Sequence, residues 1–203
     1  MTHLEINCGL KALPKAVRPL VCPARIPLRS VILGKDAVPA DLLRPLFAAA
    51  APTLTFLRFV LTPATIPALT LAFPVIAPSI AQLGICANGW SSASSAFLPA
   101  LSGCAKLRFL EWTVFEVSPL ETLELALREL PAKGFEIEGL NCTCRSTPFV
   151  AQLLLSMTAL GGLRLLMMSN APNSEKDQIR KLCIKRGVVF EPIEGTMIYG
   201  NML

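Results

Sequence analysis

The sequence predicts an α/β solenoid, in which parallel strands form an inner sheet and helices cover the outside. Three observations predict this fold class. A short apolar pattern recurs at intervals of ~26 residues, a stretch with helical spacing precedes the recurrences, and the composition supplies a large core. Of the 203 residues, 53% are hydrophobic and only 16% are charged. Such a chain has too much apolar surface to remain unfolded in water.

The recurring pattern is an apolar triad at positions 1, 4 and 6 of a short frame. The frames start at residues 28, 54, 80, 107, 137 and 163, so that successive starts differ in sequence number by 26, 26, 27, 30 and 26. Strand residues two apart point to the same face, so positions 4 and 6 predict a buried face and positions 3, 5 and 7 a free one. The triads are Leu28, Val31, Leu33; Leu54, Leu57, Phe59; Ile80, Leu83, Ile85; Leu107, Leu110, Trp112; Ile137, Leu140, Cys142; and Leu163, Leu166, Met168.

A predicted helix precedes the frames. Counting back 11, 8 and 7 residues from the second frame gives Leu43, Leu46 and Phe47, which share one helix face. The same count before the sixth frame reaches the polar residues Gln152 and Ser156. The register of the later helices therefore stays open at this stage.

The motif Leu-x-x-Leu-x-Leu in these frames resembles the leucine-rich-repeat family, in the 26-residue form found in fungal-type F-box proteins. The resemblance implies a leucine-rich-repeat solenoid with about six full repeats of ~26 residues and partial repeats at both ends. It predicts one domain over residues 1–195, with a partial first repeat in 1–14, a last helix and strand in 174–191, and a C-terminal tail at 196–203. The first strand is expected at Leu4–Cys8 and the last at Val188–Phe190.

The sequence departs from the family in the turn that follows each strand. The family places an Asn or Cys three residues after the frame, where its side chain bonds exposed backbone, and only Asn88 matches. Asp36 and Thr62 substitute in part. The family's side-chain ladder is therefore expected to be incomplete. The residues that cannot make this bond are Phe115, Arg145 and Ala171.

The chemistry of a catalytic or metal site is not found in the sequence. The single histidine, His3, lies near a terminus, and termini are poorly suited to hold a catalytic imidazole. Cys142 and Cys144 have the wrong spacing for a zinc knuckle, and no phosphate-binding glycine loop is present. We therefore expect no enzyme activity and no cofactor.

The cysteines and the first residues predict the compartment. The seven cysteines are odd in number and show no regular pairing, so we expect small buried hydrophobes rather than disulfides. The segment that begins Met-Thr-His lacks the features of a signal peptide. A cytoplasmic or nuclear location is the expectation.

The predicted binding site is the concave, inner face of the arc, which is unusually apolar for a surface in water. Phe56 and Phe109, with Arg58 and Glu111 between them, have the composition of a binding hot spot. The alternative is that these side chains are covered by the chain itself. We also expect Leu110→Asp to cost several kcal/mol and Glu111→Ala well under about 1 kcal/mol. The predicted site residues are Ile32, Phe56, Arg58, Val60, Gln82, Phe109, Glu111, Thr113, Asn141, Leu165 and Met167.

The sequence leaves two classes of function open. The first is a protein-protein interaction scaffold with an unknown protein partner. The family resemblance narrows it to substrate recognition in an F-box-type ubiquitin ligase, whose adaptor is a partner only if a longer form carries an upstream F-box. The alternative is a small membrane-associated protein that uses the uncharged stretch 59–105, although its prolines argue against a membrane span. The basic residues are too loosely spread to predict a nucleic-acid partner.

Overall fold

The structure, a computed structural model, is described over residues 3–6, 27–35, 39–114, 119–130, 136–142, 147–169 and 173–193. Over these residues the chain has an α/β fold with one eight-stranded sheet that is parallel throughout. The strands are β1 (His3–Ile6), β2 (Ser30–Leu33), β3 (Phe56–Leu61), β4 (Gln82–Ala87), β5 (Phe109–Val114), β6 (Gly139–Cys142), β7 (Leu165–Ser169) and β8 (Val189–Ile193).

The strands lie in the sheet in the order in which they occur in the chain, β1 to β8. Each strand pairs with the next in the register that the frames predict, since Leu57 is opposite Leu83 and Leu83 is opposite Leu110. The longer spacing before the fifth frame does not shift this register, because Leu110 is opposite Leu140. The predicted parallel α/β class is confirmed, and the arrangement is compatible with a solenoid-like fold.

Helices connect most of the described strands. The stretch between β4 and β5 forms only a four-residue α-helix and a 3-10 helix, because its serines and Pro99 are weak helix formers. The α-helices are α1 (Ala40–Ala50), α2 (Ile66–Ala72), α3 (Ser92–Ser95), α4 (Pro119–Glu129), α5 (Pro148–Ser156) and α6 (Asn173–Lys185). The 3-10 helices are Phe73–Val75, Ala77–Ser79, Leu98–Gly103 and Thr158–Leu160.

The core lies between the sheet and the helices. All side chains of the six predicted triads are at most 5% exposed. In the middle of this core, the rings of Phe59, Phe73 and Phe97 contact one another edge to face, with centroids 6.3, 5.2 and 5.2 Å apart. The uncharged stretch 59–105 is apolar because it supplies this core. Within the described ranges, no helix is both long and apolar enough to cross a bilayer.

The helix register agrees with the sequence count in α1 and differs in α5. Leu43 and Phe47 of α1 are buried as predicted. In α5 the buried residues are Ala151 and Leu154, whereas Gln152 is exposed. The two buried residues of α5 thus precede the first residue of the sixth frame by 12 and 9 positions, whereas the sequence count used 11 and 8. The helix turns its own apolar stripe to the sheet, and the chain between helix and strand takes up the change.

The turn after β3 contains the partial substitute that the sequence predicts. The Thr62 hydroxyl donates to the Lys35 carbonyl oxygen in the preceding turn, at 3.4 Å. The neighbouring Thr65 hydroxyl donates to the Val60 carbonyl oxygen at 2.9 Å and accepts from the Thr62 N–H at 2.9 Å. Asn88, the residue that matches the family, is exposed. The turns at Asp36, Phe115, Arg145 and Ala171 lie outside the described residues.

The chain leaves helix α6 through a backbone conformation that favours glycine. Gly187 has a φ of 68°, and its N–H donates to the Ile184 carbonyl, while the Val188 N–H reaches the Cys183 carbonyl at 2.9 Å. These two bonds form the Schellman motif, which satisfies carbonyls at the helix end and turns the chain towards the sheet. The left-handed backbone at this position explains the glycine.

The two edge strands differ from their predicted bounds. The predicted first strand extended to Cys8, whereas β1 is His3–Ile6 and residues 7 and 8 lie outside the described ones. Strand β8 runs to Ile193 rather than to Phe190, and it includes Pro192. The Val189 N–H donates to the carbonyl oxygen of Arg164, the residue before β7. Alternate residues of a parallel strand bond the same neighbour, so the backbone nitrogen of Pro192 points away from β7. The N–H that proline lacks therefore costs no bond between the two strands. The predicted tail 196–203 lies outside the described residues.

Candidate functional site

The candidate site is the face of the sheet turned away from the helices, which we call the open face. It carries frame positions 3, 5 and 7, and the in-register strands align each position into a row that crosses the sheet. The position 3 row is His3, Ser30, Phe56, Gln82, Phe109, Gly139, Leu165 and Val189. The position 5 row is Glu5, Ile32, Arg58, Gly84, Glu111, Asn141, Met167 and Glu191.

An ion pair crosses the centre of the open face. The Arg58 Nη2 atom in β3 lies 2.8 Å from Glu111 Oε1 in β5, and both side chains pass over Gly84 of the intervening strand β4. A Cβ atom at residue 84 would lie 2.8 Å from Arg58 Cγ and 3.1 Å from Glu111 Oε2. Glycine is therefore required at this position, because any other side chain displaces the pair.

The ion pair is largely shielded from water. The Arg58 and Glu111 side chains are 17% and 12% exposed. Burial raises the pKa of the Glu111 carboxyl, and the Arg58 guanidinium offsets part of that rise. The pair places two opposite charges against each other, so the centre of the open face offers a partner no net charge.

Cys86 lies beside this pair. The Arg58 Nη2 atom donates to the Cys86 sulfur at 3.8 Å. Burial raises the pKa of the Cys86 thiol, while Arg58 and a hydrogen bond with Thr113 lower it in part. The thiol therefore stays protonated at neutral pH, next to the Arg58 guanidinium.

The Phe109 ring packs over a glycine of the neighbouring strand, as the Arg58–Glu111 pair packs over Gly84. A Cβ atom at residue 139 would collide with the Phe109 ring, so the ring lies across Gly139 of β6. Phe109 is half-buried as a result, as is Phe56. The two aromatic residues of the predicted hot spot are thus on the open face and partly accessible, with one edge of Phe109 held by its own sheet.

Two predicted site residues are not accessible. Thr113 is 2% exposed and Asn141 is 8% exposed, so neither offers surface to a partner. Asn141 lies between Glu111 and Met167 of the neighbouring strands, whose long side chains cover it, and Thr113 lies beside Cys86. Glu111 is also not the exposed residue that the sequence suggested, and a low cost for Glu111→Ala is no longer expected. The predicted residues that keep partial or full exposure besides the ion pair are Ile32, Phe56, Val60, Gln82, Phe109, Leu165 and Met167.

The open face extends beyond the residues that the sequence nominated. Strand β1 adds His3, whose Nδ1 atom lies 2.9 Å from the Ser30 hydroxyl oxygen. Strand β8 adds Val189, which is 58% exposed, and the exposed Glu191. Their signal in the sequence was the apolar pairs of the two predicted partial repeats. Neither of these repeats has a full triad.

Two further features of the described residues concern the binding of small molecules and metal ions. A hollow between Leu33, Phe59 and Leu69 has a volume of about 10 Å³. That volume holds one water molecule, whereas ligand pockets measure about 300–1,000 Å³. Among the described residues, no group of three or more histidine, cysteine or acidic side chains is placed to hold a metal ion.

Fold and site together define a parallel α/β protein whose sheet has one face packed by helices and one face turned to solvent. Comparison with known proteins adds no family to this description, since no family model, no curated protein and no solved structure matches the chain at a significant level. The assignment of function therefore rests on the residues of the open face.

Proposed function

We propose that this chain is a non-catalytic interaction scaffold that binds a partner protein on the open face of its sheet. The observation that carries the proposal is the row of apolar side chains that stay accessible across in-register strands, among them Phe56, Phe109, Leu165 and Val189. Eight strands about 4.8 Å apart span roughly 34 Å, which is the length of a protein interface rather than of a small-molecule site.

The composition of the open face supports a protein partner. Aromatic residues and arginine dominate the binding energy at protein interfaces. Phe56 and Phe109 both lie in the position 3 row, beside the Arg58–Glu111 pair of the position 5 row. Because the two charges are already paired with each other, the partner does not have to desolvate a bare charge there, and it meets apolar side chains in the neighbouring row. We expect the partner to present apolar side chains to this row and polar groups to its borders.

The narrower form of the proposal is a leucine-rich-repeat module that recognises substrates for an F-box-type ubiquitin ligase. It rests on the resemblance of the frames to Leu-x-x-Leu-x-Leu and on their recurrence at intervals of ~26 residues. Contact with the ligase adaptor belongs to this proposal only for a form of the protein that carries an F-box. A cytoplasmic or nuclear location goes with it.

The test is affinity capture with matched variants. Phe56→Ala combined with Phe109→Ala should lower recovery of the specific partner at least about tenfold, the loss expected when two hot-spot residues are truncated. Leu71→Ala is the control, because Leu71 is 65% exposed on α2, on the helical side of the sheet. Val189→Glu is a second variant that leaves the core intact, since Val189 is 58% exposed on the open face.

The results are read as differences between the variants. A protein that the wild type and Leu71→Ala retain, and that both open-face variants lose, supports the proposal once the purified pair binds directly. Equal recovery of every protein with all four chains contradicts it. Thermal unfolding of each variant shows whether a loss of binding is a loss of fold.

A further inference from the structure

A second surface lies on the helical side of the molecule, at the end formed by α5 and α6, which pack against each other. The buried residues of α5 include Ala151 and Leu154, and those of α6 include Ile179 and Cys183. Because both helices turn these residues to the same sheet, their opposite faces point outward on the same side. We call these two outward faces together the α5–α6 surface.

The part of the α5–α6 surface that α5 contributes is apolar and uncharged. Phe149 is 72% exposed and Leu153 is 36% exposed, and they lie four residues apart on one side of the helix. Helix α5 contains no charged residue. Neither Phe149 nor Leu153 belongs to the described core.

The part that α6 contributes is basic. Over residues 173–186 the chain has five basic and two acidic residues, a net charge of +3. Arg180, Lys181 and Lys185 are exposed, and Ile184, also on the exposed side of α6, is 73% exposed. One of the acidic residues, Asp177, pairs with Arg180 at 3.2 Å. The outward side of α6 thus combines cations with an accessible apolar side chain.

We propose that the α5–α6 surface binds the surface of an anionic lipid bilayer. Phe149, Leu153 and Ile184 have the chemistry to enter the boundary between headgroups and acyl chains, and Lys181 and Lys185 have the charge to attract anionic headgroups. The protein lies on the bilayer in this mode and does not span it. The proposal is independent of the open face and of the uncharged stretch 59–105, which supplies much of the core.

Other occupants fit this surface less well. A nucleic acid satisfies the cations but leaves Phe149 and Ile184 against water, because duplex binding is carried by contacts to phosphate. A second copy docked face to face brings two surfaces of net charge +3 together, which costs free energy. The combination of apolar and cationic side chains on one surface is what favours the bilayer.

The experiment measures binding of the full chain to vesicles by sedimentation. Vesicles of phosphatidylcholine alone are compared with vesicles that also contain phosphatidylserine, at low and at raised salt. We expect binding to the phosphatidylserine vesicles that weakens as salt rises, since the Debye length is about 10 Å at 0.1 M salt and shorter above it. Binding of the wild type to neither vesicle overturns the proposal.

Two variants with matched controls separate the lipid from other partners. Lys181→Gln with Lys185→Gln should weaken vesicle binding at least about tenfold, and its control is Arg29→Gln with Arg44→Gln, which removes the same charge from exposed residues elsewhere. Phe149→Gln with Ile184→Gln should also weaken it, and its control is Leu71→Gln. Glutamine is used because it is a good helix former.

The outcome of the apolar variant decides between the two classes of polyanion. Loss of vesicle binding in both α5–α6 variants, with both controls unchanged, supports the bilayer. If only the lysine variant loses binding, and duplex DNA competes with the vesicles for the wild type, the surface is a general polyanion site and the proposal is overturned. Circular dichroism of each variant verifies the helices.

Discussion

Replacing Gly84 by alanine tests the geometry of the open face most directly. The added Cβ atom would lie 2.8 Å from Arg58 Cγ and 3.2 Å from Arg58 Cβ, both near the root of the arginine side chain. Such atoms cannot move aside without a change of rotamer, so Arg58 has to leave its position over β4. The 2.8 Å ion pair with Glu111 is then lost.

The magnitude follows from the burial of the pair. Breaking a buried ion pair by removing one partner costs about 3–5 kcal/mol. Here the side chains are 17% and 12% exposed, and a displaced Arg58 recovers some hydration at the sheet surface. We therefore expect Gly84→Ala to lower the free energy of unfolding by about 2–4 kcal/mol.

The control is the same substitution where the pair is absent. With Arg58→Ala and Glu111→Ala already present, the contacts of the added Cβ atom with Arg58 Cγ and Glu111 Oε2 are gone, and the 3.2 Å contact with the Cβ atom of residue 58 remains. Alanine within a strand is more favourable than glycine by about 0.5–1 kcal/mol, which offsets the remaining contact, so Gly84→Ala should then be close to neutral. The cost of the added methyl group thus largely disappears in the double variant, which corresponds to a coupling of at least about 2 kcal/mol.

Urea unfolding of the four chains, followed by the fluorescence of the buried Trp112, measures all of these differences. Equal costs of Gly84→Ala in both backgrounds would show that the cost comes from the backbone and not from displacement of the ion pair. A wild-type cost within about 0.5 kcal/mol of zero would also refute displacement of the pair, since surface substitutions behave that way.

Three further predictions concern the two faces of the sheet and its buried groups. Leu83→Asp should lower the free energy of unfolding in urea by about 4 kcal/mol or more, because Leu83 is 1% exposed. Gln82→Ala, at the adjacent exposed residue, should change it by no more than about 0.5 kcal/mol. Similar costs for the two substitutions would contradict the assignment of faces. Burial raises the pKa of Glu111 above its ordinary 4.5, with Arg58 opposing the rise, so the folded protein keeps this proton to higher pH than the unfolded chain. The contribution of Glu111 to stability is complete below the unfolded pKa and is lost as pH rises through the folded pKa. The stability of Glu111→Gln relative to wild type should therefore rise with pH above 4.5, and a fall in urea titrations at several pH values would be the opposite result. Burial raises the pKa of Cys104 to about 12. A thiol reagent at pH 8 should therefore label Cys104 at least about 100-fold more slowly in the folded chain than in the unfolded chain. Fast labelling of the folded chain, located by peptide mass spectrometry, would show that this thiol is accessible.

The core of the sheet could be predicted from the sequence because its signal is local and periodic. Positions 1, 4 and 6 of each frame must be apolar wherever a strand packs on helices, so Leu57, Leu83 and Leu110 are recognisable without any contact being known. The nearly constant interval between frames then places like positions side by side. Frame register and strand direction both follow from this repetition.

Helix register was less predictable because the connection to the strand varies in length. In α5 the apolar residues Ala151 and Leu154 face the core, one residue earlier than the counted positions. A fixed offset from the strand fails here, since a helix orients by its own apolar stripe and not by its distance from the next strand. The apolar pattern of α5 itself would have been the better guide.

The residues of each strand that share a face can be identified from the sequence alone, because alternation is a property of the extended backbone. The residues of the open face that reach solvent depend instead on contacts between side chains of different strands. Arg58 and Glu111 are 53 residues apart and meet over Gly84, and this contact hides charges that sequence spacing places on an exposed face. The physical reason is that the exposure of a side chain depends on the sizes of its neighbours across three strands. Frame periodicity fixes where those neighbours stand, but not how their side chains lie over one another.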